Sequence, residues 1–530
     1  MTAALLLVVL LCASVLAAIL AKRVNVPYPI AFVVGGILLS FIPNLPKPHV
    51  DPHLILLLVL PPLLYYGGWS TDLFEFRRNI QPITLLAIGL VAFSTIVVAA
   101  IAHASIHLDW ATAFVLGAVV SPPDAVAAEA IFHRMSVPRR IVSILTGEAL
   151  LNDATALVLY RFAVVAAVTG AFSLGKVLVT FPIVALGGIA IGLLAGYFVE
   201  FVLRFLSKEQ LEDATISNVV LLIAPYASYL PAEALHVSGV LAVVTTGIYL
   251  NQRATYFLSS EGRVVGIAIW DTMIFLLNAL VFLFIGLELP EITSSLGNSF
   301  ARFLLDGLFI SIAVILIRIV WVYPAVWLPR VFVKHIRIHD PLPPWQSIAV
   351  VAWSGMRGIV SLATALAIPL TDSAGRPLAA RDEIIFITLC VIFVTLIFQG
   401  LTLGPMITWL GVSETANPQK RESTLRIRAL EAGLRRLNEL EPTFHSSAEW
   451  GAAGRLLYEY ETRIEHLRGD LKEDQAEDER LASETDHRLQ KELLHAERDE
   501  IARLRVNGEI PDDIFRSIAY DLDLAQLRLR

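Results

Sequence analysis

Gly147-Glu148-Ala149-Leu150-Leu151-Asn152-Asp153 sets two carboxylic acids and an amide inside an apolar run long enough to cross a bilayer. An ionisable side chain in hydrocarbon costs several kcal/mol, roughly 2.5–3.5 for Asp at a helix centre, so its presence points to function. A carboxylate in a low-dielectric cleft can hold either a proton or a small hard cation near neutral pH. Competition for one such group is exchange chemistry, and Asp153 is the candidate carrier. Glu148 and Asn152, four residues apart, share a helix face, while Asp153 is rotated about 140° from Glu148. Glu148 can therefore be structural while Asp153 faces an ion path.

Ser121-Pro122-Pro123-Asp124 places two prolines before a carboxylate within another apolar run. Two missing N–H donors and two ring clashes make a continuous helix improbable there. Broken helices expose free carbonyls and amides at membrane depth, where only protein or a water-filled cavity tolerates them. Trp353-Ser354-Gly355-Met356-Arg357-Gly358 is a second loosened helix, now beside a buried guanidinium. Three deep acids, Asp124, Glu148 and Asp153, face one base, Arg357, so one acid is consumed by pairing. Asp153, Asp124, the Asn152 amide oxygen and carbonyls of the broken helix could ligate a hard monovalent cation. Two plainer readings stand beside this one: Asp124 caps the next half-helix, or Asp153 pairs with Arg357 and carries nothing. Two membrane aspartates could also form a protease dyad, but the prolines before Asp124 and the nearby arginine argue against it. A cation sensor or channel would use the same site without obligatory exchange.

These residues need a membrane scaffold, and the composition supplies one. The 530 residues are 56% hydrophobic and only 17% charged, with a mean hydropathy of +0.67, which belongs to a polytopic membrane protein. Thirteen apolar runs of helical length are expected, at about 4–21, 28–43, 53–68, 82–106, 110–132, 141–168, 174–204, 215–230, 236–251, 265–288, 303–328, 346–370 and 383–411. Spans one to six and eight to thirteen form two six-helix halves whose fifth members are the interrupted ones, the pattern of inverted repeats around a midplane site.

Lys and Arg fall in alternate loops. One set, running from Lys22 and Arg23 through Arg77, Arg78, Arg139 and Arg140 to Arg337, counts fourteen, and the opposite set counts five. The positive-inside rule puts the amino terminus outside and the tail in the cytoplasm, so residues 1–411 form the membrane domain and 412–530 a charged helical tail. Beyond Val412 lie 19 of the 41 bases and 26 of the 48 acids, which accounts for the whole net charge of −7. That acidic balance argues against nucleic-acid binding, and no catalytic motif appears in the tail, which reads as regulatory. Its stripe of Ile427, Leu430, Leu434 and Leu437 is broken by Pro442, a long charged helical stretch follows, and a last short helix is expected after Pro511.

Other polar residues are weaker signals. Arg161 and Glu200 are expected to snorkel near span ends; Arg318 sits deeper and pairs with an acid or lines a funnel. Glu233, His236, His103 and His107 read as interfacial. Cys12 and Cys390, far apart in apolar spans, offer neither a disulfide framework nor metal spacing and read as buried packing residues.

Glu148 to Asp153, Ser121 to Asp124, Gly355 to Gly358 and Leu235-His236-Val237-Ser238-Gly239 together resemble, in that order, the monovalent cation/proton antiporters. The resemblance is to the bacterial sodium/proton exchanger branch with an Asn-Asp pair in its sixth span, and covers roughly residues 1–410. It implies a homodimer of thirteen-span protomers in the inner cell membrane, with crossed broken helices in a core that moves like an elevator. It implies electroneutral exchange with no cofactor and no enzymatic activity. Asp153 would carry ion and proton, Asn152 and Asp124 would assist binding, and Glu148 would pair with Arg357. Ala149, Pro123 and Tyr66 depart from sodium-binding relatives by offering fewer side-chain ligands at their positions, so sodium is expected first, with potassium or lithium as alternatives.

Overall fold

In the computed structural model the described residues are 2–24, 26–42, 52–124, 126–132, 135, 137–170, 174–209, 213–295, 300–332, 340, 342–371, 378, 380–412, 418–443, 445–469 and short pieces between 488 and 522. Every helix or strand formed among them is a helix, and the chain divides into two compact units, Met1–Ser413 and Glu414–Arg530.

The first unit contains α1 (Thr2–Val24), α2 (Tyr28–Ser40), α3 (Pro52–Ser70), α4 (Leu73–Arg78), α5 (Ile80–Ile106), α6 (Trp110–Val120), α7 (Val126–Phe132), α8 (Arg139–Thr169) and α9 (Leu174–Lys208). It continues with α10 (Ala214–Ala234), α11 (Gly239–Phe257), α12 (Ser260–Ser295), α13 (Phe300–Phe332), α14 (Trp345–Trp353), α15 (Ile359–Leu366) and α16 (Arg381–Leu410). Eight of these, α1, α5, α8, α9, α10, α12, α13 and α16, are long and apolar enough to cross a membrane. The other five expected spans coincide with α2, α3, α11 and the split pairs α6/α7 and α14/α15; these are shorter or more polar, so the count of thirteen rests on the sequence pattern.

The outward faces explain the composition: Leu16, Leu194, Phe201 and Val320 are among many large apolar side chains left exposed, as a lipid-facing surface requires. Both fifth members are interrupted as expected, at Ser121–Asp124 and Ser354–Gly358. A double proline does not suffice to break a helix, because Pro61-Pro62 lies inside a continuous α3. There, the Leu58 carbonyl that Pro62 cannot serve accepts instead from Tyr226 Oη at 2.9 Å, so one of the two missing bonds is replaced, and the helix runs on. Interruption at Pro122-Pro123 instead exposes backbone that is used elsewhere.

In the second unit, α17 (Pro418–Leu440) and α18 (Ser447–Gly469) flank the expected Pro442 break, which forms a short 3-10 turn, Glu441–Thr443. They fold back on each other, with Arg468 bonded to Glu431 at 2.9 Å and Gly433 leaving room for Tyr460. The helix expected after Pro511 lies outside the described residues, apart from fragments.

Candidate functional site

The two interruptions cross each other. Asp124 N–H donates to the Met356 carbonyl at 2.7 Å, and the Asp124 carboxylate accepts from the amides of Val126 at 2.9 Å and of Ile359. These are the first residues of α7 and α15, so one aspartate caps two half-helices whose dipoles both favour negative charge. No Cβ fits on Gly358, because the Asp124 carboxylate occupies its place. The opposite half-helix ends receive positive charge: Arg357 Nη1 donates to the Ser121 carbonyl at the end of α6, and Arg318 Nε and Nη2 donate to the Val351 carbonyl in α14 at 3.3 and 3.1 Å.

The expected Glu148–Arg357 pair is not formed. Glu148 is instead closed by Arg318 in a bidentate pair, at 2.5 and 2.8 Å, with both side chains 1% exposed. The reason is geometric: α13 carries Arg318 against Glu148, with Gly355 leaving space for its side-chain stem, while the Arg357 guanidinium is drawn to the Ser121 carbonyl. Arg357 is equally buried, with its backbone N–H on Thr395 Oγ1 at 3.0 Å and its Nε and Nη2 without an acceptor among the described residues.

Asp153 lies at the middle of α8 and takes part in no hydrogen bond or ion pair among the described residues. It is 8% exposed and lines a cavity of about 180 Å³ together with Asp124, Gly358, Ser361, Tyr66 and Asn278. Asn152, fully buried, is not on that cavity wall; its amide nitrogen holds the Pro123 carbonyl at 2.6 Å, and its Oδ1 has no partner among the described residues. Ala149 and Pro123 do line the cavity, and Tyr66 donates to Asp271 at 2.5 Å.

Two further cavity residues escaped the sequence reading. Glu129 on α7 accepts from Thr146 Oγ1 at 2.6 Å, and both line the cavity. Thr146 precedes Asp153 by two turns, about 10 Å along α8, toward the end that carries Arg139 and Arg140. Glu129 is the fourth residue of the seven-residue half-helix α7, and only the crossing brings that face to the cavity of Asp153. Among the described residues no group of three or more His, Cys, Asp or Glu could hold a metal ion.

Elsewhere, Glu200 does not snorkel: it is 3% exposed and bonded to Tyr249, Arg253 and Arg204. Arg161 pairs with Glu233 at 2.6 Å. Cys12 is exposed rather than buried, and Cys390 is buried. His103 bonds the Leu108 carbonyl at 2.7 Å and stacks on Trp110.

The family model described as sodium/hydrogen exchanger, transmembrane, matches residues 8–409. The chain belongs to the sodium/hydrogen exchanger family. It is 32% identical over 532 positions to an uncharacterized Na(+)/H(+) exchanger of Mycobacterium tuberculosis, covering 99% of this chain and 95% of that protein. A sodium, potassium, lithium and rubidium/H(+) antiporter of Bacillus subtilis is 34% identical over 397 positions, 72% of this chain and 58% of that one. The fold is also that of the sodium proton antiporter MjNhaP1 from Methanocaldococcus jannaschii, with a TM-score of 0.59 at 18% identity, covering 77% of this chain and 99% of that structure. This exchanger is therefore a multi-pass, all-helical membrane transporter.

Proposed function

We propose that this exchanger trades sodium for protons across the cell membrane, one for one, with Asp153 as the group that each occupies in turn. The observation that carries the reading is the isolation of Asp153: Glu148 is closed by Arg318 and Asp124 by two helix amides, while Asp153 alone of the three is uncommitted on the cavity wall. A charge without a partner in such surroundings is costly unless a proton or cation meets it. Asp124 contributes its remaining lone pairs to the cation, and Asn152 assists by fixing the Pro123 carbonyl at the break. A protease dyad fits poorly, since the Asp124 carboxylate is engaged by the backbone.

The cavity residues on α8, and all but Leu60 of those on α3, come from the halves nearer Arg77, Arg78, Arg139 and Arg140. With those basic ends in the cytoplasm, the cavity opens inward, and alternating access follows from movement of the crossed-helix core past the remaining helices, as an elevator within each protomer of a homodimer. Residues 1–411 would form this inner-membrane domain, and 412–530 a cytoplasmic regulatory tail. A broader cation range, including potassium and lithium, is a second reading favoured by the likeness to the sodium, potassium, lithium and rubidium/H(+) antiporter of Bacillus subtilis.

The test is dequenching of a pH-sensitive dye in everted vesicles on adding sodium, potassium or lithium chloride. Sodium dequenches, and Asp153→Asn abolishes the signal at unchanged membrane levels of protein. Equal dequenching by that variant removes Asp153 as the carrier.

A further inference from the structure

Two residues on the cavity wall carry a buried neutral oxygen that has no partner among the described residues. Ser361 is 2% exposed, and its Oγ has no hydrogen-bond partner among the described residues. Neighbouring hydroxyls behave differently: those of Ser354, Thr364 and Thr388 each donate to the carbonyl four residues earlier, at 2.5–2.7 Å. Ser361 cannot follow them, because four residues earlier is Arg357, in the break before α15, where no helical carbonyl is presented. On α12, Asn278 Oδ1 is likewise buried and without a partner among the described residues. Both residues line the cavity that holds Asp153.

Leaving a buried polar atom unsatisfied costs about 1–3 kcal/mol, and such atoms are rare enough in native folds that each asks for a cause. Here the two residues that carry them line one cavity together with one uncommitted carboxylate. The acids alone cannot enclose a cation, since no third His, Cys, Asp or Glu joins a possible metal site among the described residues. A dehydrated monovalent cation at Asp153 and Asp124 therefore needs neutral oxygen ligands.

We propose that Ser361 Oγ and Asn278 Oδ1 are those ligands, and that they set which monovalent cation the exchanger accepts. This rests on the exchange reading above. A proton needs one oxygen and the cation needs several, so losing a neutral ligand weakens cation binding and leaves protonation of Asp153 in place. The two ligands come from different helices: α15 belongs to the crossed pair, and α12 packs chiefly against α2. Cation binding thus ties the crossed helices to α12 while the cavity is in this arrangement.

Initial exchange rates in everted vesicles, measured against sodium, lithium and potassium chlorides at fixed pH, provide the test. Ser361→Ala and Asn278→Ala each raise the apparent KM for sodium by roughly tenfold, the worth of one ligand to a charged partner. The maximal rate at saturating sodium stays within about twofold, and the preference among the three cations changes. Ser361→Thr and Asn278→Ser, which keep an oxygen, restore part of the affinity. If Asn278→Ala fails to reach the membrane, Asn278→Ser and the two Ser361 variants still decide the matter. An unaltered KM for all three cations in Ser361→Ala, with Asp153→Asn inactive, overturns this proposal and leaves the exchange reading standing. No cation-dependent signal from the unmodified chain overturns both.

Discussion

Asp124 occupies the space that a side chain on Gly358 would need. One residue lends its carboxylate and the other its lack of a Cβ, so the two broken helices meet closely enough for one acid to cap both. Gly358→Ala forces that contact apart. Overpacking a close contact costs about 1–3 kcal/mol, and here it also pulls a carboxylate from two amides. A lowered melting midpoint in detergent and loss of exchange in vesicles are expected; full activity at normal stability would mean the close approach is dispensable.

Glu148 and Arg318 form a fully buried pair. Removing one partner strands a charge, at a cost of about 3–5 kcal/mol. Glu148→Gln and Arg318→Leu each reduce folded yield sharply, and the double variant recovers much of the loss. Melting midpoints of the four proteins give the coupling. A stronger coupling of Glu148 to Arg357 than to Arg318 would contradict the observed pairing.

The proposed sharing of one carboxylate by cation and proton makes inhibition by protons competitive. Lowering the pH on the binding side raises the apparent KM for sodium and leaves the maximal rate at saturating sodium unchanged. A maximal rate that falls while KM holds steady would place the proton on a separate group.

Glu129 lies on the cavity wall with Thr146, two turns of α8 from Asp153. A carboxylate in that place raises the local cation concentration without having to bind tightly. Glu129→Gln should raise the apparent KM for sodium a few-fold at low ionic strength, and the difference should shrink as an untransported salt screens the field. A salt-independent loss would assign Glu129 to direct ligation instead.

In the tail, Glu449 accepts from the backbone amides of His445 and Ser446 at 2.8 Å each, while Ser446 Oγ accepts from Glu449 N–H at 3.2 Å. This reciprocal cap starts α18, and its amide donors hold the Glu449 carboxyl below its ordinary range. A lowered folded-state pKa means the contribution is present above the unfolded value and fades as pH falls through the folded one. Near neutrality the cap is constant. Glu449→Gln should speed hydrogen exchange in the first turn of α18 in the full chain, with the same difference throughout the neutral range; a difference that varies there would make this turn a pH sensor.

The split helices and the depth of Asp153 were readable because prolines, glycines and charges in apolar runs break simple local rules. The partner of Glu148 was not. Arg318 stands 170 positions away, in Ile317-Arg318-Ile319 with no proline or glycine beside it, and Arg357 was expected as the mate because the family resemblance implies that pair. What decides between them is which carbonyl each guanidinium meets, a tertiary fact. Ser361 and Asn278 were hidden for a related reason: a serine in an apolar helix ordinarily bonds its own preceding turn, and only the break before α15 removes that acceptor. Pro61-Pro62 shows the converse, since the sequence signal that opens one helix leaves α3 intact, with Tyr226 answering one of the two freed carbonyls.

Around the crossing, Asp124, Glu148 and Asp153 outnumber Arg318 and Arg357, and Glu129 adds a further carboxylate on the cavity wall. In the proposed cycle a monovalent ion or a proton at Asp153 cancels one of these charges; empty, that charge must travel uncompensated through a medium that resists it by several kcal/mol. On the proposed exchange cycle the vacant carrier is thereby the slow one, and futile return trips that would dissipate the gradient are suppressed by electrostatics rather than by a gate.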